Sequence, residues 1–416
     1  LYFMNKKIII FMPSIEGGGV EKNLFLISNF LSNKINNICL ITASNEFKNK
    51  FKKLKFITPF FNLAKYGRIL KYIFCLYELL KQIVKKEDII ILSFQANLYC
   101  ILISKLFNTK IIVRSNSSPS GWSKNFIKKK LFKLILRLAD TIIVNSNDFK
   151  EEFKKKFNLS TVMIYNPLNK NEIIKLSKKK INFPFFDKSK NDLKLINIGR
   201  FTDQKDQMTL LKSVNELKNK INVRLLIIGR GINLYKLKKF INDNKINKIV
   251  KILNFKENPF PYLKKADLFL LKSKFEGLPN VLLEAATLKK NIISTDCPTG
   301  PREILNNGKY GILCDVGNYK QISKKIIYCK TKNKSFLKRT ASLSYKSLDR
   351  FDYKFLSKVF NIKHRCLDTL LLFKKLLPFR KSYSIKSLCE IYNIDCSKHH
   401  RALEDVIILK QLYEKA

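Results

Sequence analysis

The chain alternates short, nearly continuous apolar runs with longer stretches of helical periodicity, and it does so twice. In the first half the runs fall at residues 7–12, 38–42, 89–93, 111–113, 141–144 and 162–165. In the second they fall at 194–198, 224–228, 250–253, 268–271, 292–294 and 312–314. β-Branched runs without polar alternation suit strands covered on both faces, and a helix between successive strands favours parallel pairing. The pattern predicts an α/β fold of two doubly wound, Rossmann-like domains facing one cleft. The boundary is expected within 167–192, which is lysine-rich, carries Pro184 and lacks a clear strand. A chain of 416 residues is too long for one ordinary core and leaves room for a tail.

Lys and Arg outnumber Asp and Glu by 81 to 32, a formal net charge of +49, which suits anionic partners such as nucleic acid, an acidic bilayer or a phosphorylated substrate. The abundance of Lys, Asn and Ile together is equally what an AT-rich genome writes at tolerant surface positions. Nine cysteines contain no CxxC pair and several lie in apolar runs, so they read as reduced core thiols of a cytoplasmic protein. Histidine occurs only at His364, His399 and His400, which removes the usual ligands of a catalytic metal. No apolar run approaches the roughly 20 residues of a spanning helix. The apolar opening ends at Pro13, too early for a signal peptide, and reads as a buried strand. Met4 reads as the native start, with Leu1, Tyr2 and Phe3 as a remnant.

Two basic helices are expected in the first domain, near 65–86 and 122–138. In the second of these, Ile127, Leu131, Leu134, Ile135 and Leu138 form an apolar stripe opposite Lys129, Lys130, Lys133 and Arg137. Two readings stand: a helix packed on its own sheet with a solvated basic face, or a surface that rests on anionic lipid. Trp122, the only tryptophan, starts this helix and favours the second.

Chemistry is concentrated in a few segments. Gly17, Gly18 and Gly19 follow the first strand and precede a helix, where free N–H groups can meet a phosphate. Gly199 and Arg200 end the first strand of the second domain, and Lys205 follows at the next helix, placing two cations at the ligand-binding edge. Glu276 and Glu284 stand eight residues apart. Between them the loop Gly277, Leu278, Pro279 and Asn280 leads into a helix, so one carboxylate precedes its N-terminus and the other sits on its first turns. Acceptors beside an anion-attracting helix start suit a ligand with both hydroxyls and phosphates, such as a nucleotide sugar. Each feature alone is ordinary turn or surface chemistry; their company is what carries weight.

Together these segments resemble the retaining nucleotide-sugar glycosyltransferases of GT-B fold, in the branch acting on lipid-linked or lipopolysaccharide-type saccharides. The resemblance rests on PSIEGGGVEKNL, NIGRFTDQKDQMTLLKSV, FEGLPNVLLEA and CPTGPREIL, supported by LSFQAN, VRSNSSP and YNPLN. It implies an acceptor-side domain at 4–175, a donor-binding domain at 190–350 and a helix at 351–368 returning to the first domain. Arg200 and Lys205 would neutralise the leaving diphosphate, and Glu276 would reach the donor sugar; these three form the implied catalytic set. Glu284 would bind the ribose hydroxyls, the amides of Gly277, Leu278, Pro279 and Asn280 would meet sugar and phosphate, and Gly18, Gly19 and Gly199 would line the phosphates. The resemblance implies no metal and no other cofactor. Many relatives carry a first-domain histidine; here Ser93, Gln95 and Asn97 stand in that segment.

The tail, 369–416, is expected to be helical and resembles the last motif of DEDDh exonucleases, with His400 and Asp405 five apart on one helix. The earlier acidic motif of that family is absent upstream, so a fragment or a chance helical hairpin is expected there and not a working nuclease. The expectation for the whole chain is transfer of a hexose or N-acetylhexosamine, from a donor expected to be UDP-linked, to a saccharide or polyprenyl-linked acceptor. The expected location is the cytoplasmic face of the membrane, against an anionic surface. The alternatives are a nucleic-acid-binding or exonuclease-related protein, favoured by the charge and the tail, and a soluble sucrose- or trehalose-type synthase relative.

Overall fold

All the apolar runs become strands. A computed structural model describes residues 6–351 apart from 17, 86–87, 117–125, 188–190 and 333. Readings that rest on Gly17, Trp122, the three histidines, Cys366, Cys389, Cys396, the returning helix beyond Phe351 and the 369–416 tail, Asp405 included, lie outside the described residues. The chain divides after Phe351 into two units, and every described element belongs to the first.

The first part of the chain runs β1 (Lys7–Phe11), α1 (Gly19–Ser32), β2 (Ile38–Ile41), β3 (Lys55–Ile57), α2 (Arg68–Val84), β4 (Ile89–Ser93), α3 (Asn97–Leu106), β5 (Lys110–Arg114), α4 (Phe126–Arg137), β6 (Thr141–Val144), α5 (Asn147–Phe157) and β7 (Val162–Met163). These strands form a seven-stranded parallel sheet of order β3-β2-β1-β4-β5-β6-β7. Two short helices, α6 (Lys170–Ser177) and α7 (Pro184–Asp187), lead on. Then come β8 (Leu193–Ile198), α8 (Gln207–Leu217), β9 (Val223–Gly229), α9 (Leu234–Asp243), β10 (Val250–Asn254), α10 (Phe260–Lys265), β11 (Leu268–Leu271), α11 (Asn280–Thr287), β12 (Asn291–Thr295), α12 (Pro301–Ile304), β13 (Ile312–Cys314), α13 (Tyr319–Thr331) and α14 (Lys334–Lys346). The second sheet, also parallel, has the order β10-β9-β8-β11-β12-β13.

Strand order reverses between β1 and β4 in one sheet and between β8 and β11 in the other. A crevice opens at such a switch point, beyond the carboxyl ends of the strands. In the first sheet β1 is sandwiched: Ile9 and Phe11 pack with Cys75, Cys100 and Phe149 on one face, while Ile8 and Ile10 pack with Leu24 of α1 on the other. Six cysteines in this unit are free and buried, and burial pushes the Cys75 and Cys100 thiols up to about 12.

Two details depart from the sequence reading. β3 is a strand although Lys55-Phe56-Ile57 is short and half-exposed at the sheet edge. The α4 stripe does not face the sheet as a unit. Ile135 and Leu136 enter the core, whereas Ile127, Leu131, Leu134 and Leu138 are exposed. Packing selects the 135–136 side of the helix, which leaves most of the stripe outside.

Lys272, just after β11, is fully buried, and its Nζ has no hydrogen-bond partner among the described residues. Burial brings its pKa down to about 8 from an ordinary 10.5, against the opposing pull of Cys314 and Asp206. Between those values the unfolded chain holds the proton more tightly, so this group makes stability rise with pH across the window, and its full cost falls below about pH 8. Lys272→Met is therefore expected to stabilise the protein by roughly 3 kcal/mol near pH 7, with the gain fading toward about pH 10. Urea unfolding of both proteins at the two pH values measures this, and a pH-independent difference would contradict it.

Candidate functional site

The two sheets bring their switch-point loops together. α1 begins at Gly19 with Gly18 as its N-cap and no side-chain cap, and α11 begins after Pro279 with none either. Their first N–H groups lack the side-chain acceptors that Ser146, Asn169, Asp206 and Asn318 supply to α5, α6, α8 and α13. Asn280 joins the two starts, donating to the Gly19 carbonyl at 2.9 Å and to Asn23 Oδ1 at 3.0 Å. Asn166, between β7 and α6, donates to the Leu278 carbonyl at 2.9 Å and to Asn280 Oδ1 at 2.7 Å. Arg114, fully buried with its pKa lowered by burial to about 10, donates to Asn166 Oδ1 at 2.9 Å and so fixes that bracket.

Both motif glutamates are buried and each meets a lysine. Lys205 Nζ lies 2.5 Å from Glu276 Oε1, and the Ser273 hydroxyl donates to the same oxygen. Lys22 of α1 reaches Glu284 Oε1 at 2.5 Å from the other half of the unit. Glu284 Oε2 is buried with no hydrogen-bond partner among the described residues, which is uncommon for a buried carboxylate oxygen. Arg200 follows β8, is exposed, and makes no ion pair among the described residues. Gly199 closes β8, donating its N–H to the Ile228 carbonyl at 3.0 Å.

The loop from Gly277 to Pro279 is wedged between neighbours. A Cβ on Gly277 would sit 3.0 Å from the Asn116 carbonyl oxygen and 3.2 Å from Asn145 Nδ2. From the other side Gly300, at φ +85°, lies so close that a Cβ there would stand 2.1 Å from the Gly277 carbonyl oxygen. Thr299 donates its hydroxyl to the Glu276 carbonyl at 2.5 Å. Glu303 of α12 accepts from the Asn147 N–H at 2.9 Å and from the Tyr165 hydroxyl at 2.6 Å, closing the N-terminus of α5 from across the seam. Arg230 donates to the Glu16 carbonyl, and the Arg68 guanidinium holds the Glu16 carboxyl below its usual range.

The structure thus gathers Gly18, Gly19, Lys205, Glu276, the Gly277–Asn280 loop and Glu284 at one seam. It uses Ser93, Gln95 and Asn97 differently from a reactive loop. Gln95 Oε1 accepts from the Ser14 N–H at 2.8 Å, Asn97 donates to the Arg114 carbonyl at 3.0 Å, and Ser93 donates to Asn97 at 2.8 Å. These three brace β1, β4 and β5 against one another. Lys22, Asn166, Gly300 and Glu303 join the site from segments in which the sequence offered no role for them.

Residues 178–346 match the family described as Glycosyl transferases group 1. That match takes in less than half of the chain. The matched stretch holds Arg200, Lys205, Glu276 and Glu284. An Exonuclease family match covers 312–413, and β13, α13 and α14 at its start belong to the half built on the second sheet, with β13 paired to β12. An uncharacterised glycosyltransferase of Methanocaldococcus jannaschii is 34% identical over 51% of this chain and 59% of its own length. A Campylobacter jejuni enzyme is 26% identical over 53% of this chain and 60% of its own. Its name is N-acetylgalactosamine-N,N'-diacetylbacillosaminyl-diphospho-undecaprenol 4-alpha-N-acetylgalactosaminyltransferase. The chain therefore spans about three fifths of the length of these two relatives. Anabaena HepE, solved with UDP and glucose, superposes with a TM-score of 0.69 at 18% identity, covering 86% of this chain and 98% of that one. Sucrose-phosphate synthase from Thermosynechococcus elongatus gives a TM-score of 0.70 at 14% identity, with 87% and 99% covered. The fold is GT-B.

Proposed function

We propose that this chain is a retaining glycosyltransferase that moves a hexose or N-acetylhexosamine from a UDP-sugar to a lipid-linked or lipopolysaccharide-type saccharide. The observation that carries the reading is the pair of buried glutamates, one with an unfilled oxygen, set beside Lys205 and Lys22 where two uncapped helix starts meet. A nucleotide sugar offers what such a seam lacks: hydroxyl donors for Glu276 and Glu284, and phosphates for the N–H groups and lysines. The names of the Campylobacter relatives, N-acetylgalactosaminyltransferases acting on undecaprenol diphosphate saccharides, support the class of acceptor.

In this reading Arg200 and Lys205 take up the charge that grows on the leaving diphosphate, and Glu276 orients the sugar. The acceptor hydroxyl attacks from the face the diphosphate leaves, its proton passing to a diphosphate oxygen, so positioning and charge neutralisation dominate. Two cations at the diphosphate would make a metal unnecessary. No helix among the described residues is long and apolar enough to cross a membrane, and the proposed location is peripheral, on the cytoplasmic face.

A screen of UDP- and GDP-sugars for release of nucleoside diphosphate, with and without EDTA, tests the proposal. The expected result is slow hydrolysis of one UDP-hexose or UDP-N-acetylhexosamine, unaffected by EDTA. Tight, salt-sensitive DNA binding with no nucleotide-sugar affinity would overturn it in favour of a nucleic-acid protein.

A further inference from the structure

The helices on one face of the first sheet present an unexpected outer surface. α3 lies between α2 and α4, and all three send residues inward to the same core: Cys75 and Leu79, Cys100 and Ile101, Ile135 and Leu136. Their outward sides are also apolar. α2 exposes Ile69, Ile73 and Tyr77, with Ile69 76% exposed. α3 exposes Leu102 and Leu106, the latter 81% exposed, and α4 exposes Ile127, Leu131 and Leu134. Phe60 and Phe61, in the segment between β3 and α2, extend this surface to the carboxyl edge of the sheet, where the donor seam lies, and Phe60 is 94% exposed.

Charge decides what covers it. α4 carries Lys128, Lys129, Lys130, Lys133 and Arg137 and no acid. The acids nearest the other helices are paired: Glu78 with Lys81 at 3.1 Å, and Asp140 with Lys105 at 2.8 Å. A folded protein partner of ordinary composition would bury these cations at a cost, whereas long basic side chains flanking an apolar face can reach phosphates above hydrocarbon.

We propose that the α2–α3–α4 layer is the surface on which the protein lies on an anionic bilayer, with Phe60 and Phe61 dipping in beside the mouth of the site. This rests on the proposed transferase reading only for its purpose, which is to present a lipid-carried acceptor; the binding itself is measured without turnover. The test is flotation of the full chain with phosphatidylcholine vesicles, with or without phosphatidylglycerol, alongside light scattering in the absence of lipid. Wild type is expected to float with the anionic vesicles only. Ile69→Glu with Ile73→Glu, and separately Leu131→Glu with Leu134→Glu, are expected to weaken that binding by about tenfold or more. Ile232→Glu, an exposed apolar position of the second sheet's half, is the control and should float as wild type does. UDP-sugar hydrolysis in detergent should be unchanged in all three variants. Because these positions are exposed, retained hydrolysis or an unchanged melting profile shows that the variants fold. If hydrolysis is absent from wild type as well, the transferase reading fails and the flotation result still stands. Failure of wild type to float, equal flotation of all variants, or a lipid-free dimer that the α2 and α4 changes dissociate would overturn the proposal; the last outcome would make the layer a contact between copies.

Discussion

Lys205→Ala is expected to lower kcat/KM for nucleoside diphosphate release by about 10²- to 10³-fold while the protein stays folded. The ammonium is nearly buried and lies 2.5 Å from Glu276, so one residue does two things. It holds the carboxylate that in the proposed reaction would orient the sugar, and in the same reading it would meet the diphosphate. Without it, Glu276 keeps the Ser273 hydroxyl but loses its counter-charge, and the leaving group loses a cation in a site poorly screened by water. Lys205→Arg should recover only part of the loss, because a planar guanidinium cannot occupy the place of a compact ammonium against the same oxygen. Steady-state kinetics on the UDP-sugar found in the screen, with melting curves as the control for folding, measure both. A loss smaller than tenfold in Lys205→Ala would show that the pair only supports the structure.

The second large effect is expected at Gly300. A methyl group there would press on the Gly277 carbonyl oxygen at 2.1 Å and on the Pro279 ring at 2.9 Å, at a backbone φ that favours glycine. Neither neighbour can yield without moving the loop that precedes α11. Gly300→Ala should cost about 3 kcal/mol of stability and a large part of UDP affinity together. Gly317 has a similar φ of +77° with open space around it, so Gly317→Ala isolates the backbone contribution, about 1 kcal/mol, and should leave UDP binding intact. Urea unfolding and titration calorimetry with UDP separate the two variants. Equal losses in both would mean that the contact with Gly277 carries nothing.

Most strands were legible because their residues leave little choice: Ile8 to Phe11 or Leu268 to Leu271 are apolar without interruption, as only a strand between two helical layers requires. β3 was not, because an edge strand needs no such run, and Lys55 has nothing to bury against. Helical spacing at 127, 131, 134 and 138 shows that these residues share a face. It does not show which face the core takes, and two adjacent residues, Ile135 and Leu136, settle that. The glutamates, Lys205 and the glycine loop could be found because each sits in a short local pattern. Lys22 could not be assigned, since its partner lies 262 positions away and no local rule links them. Glu303 was hidden for the same reason, its acceptor role depending on where the start of α5 falls in space.

Several bonds across the seam between the two halves have a main-chain atom as one partner. Asn280 reaches the carbonyl of Gly19, Asn166 that of Leu278 and Arg230 that of Glu16, while Glu303 takes the N–H of Asn147. A carbonyl or an N–H is present whatever residue stands there. Identity at such positions is therefore free to drift as long as the chain keeps its path. Residues at those positions can change on either half while these bonds persist, which makes this joint tolerant of divergence in the loops that flank the site.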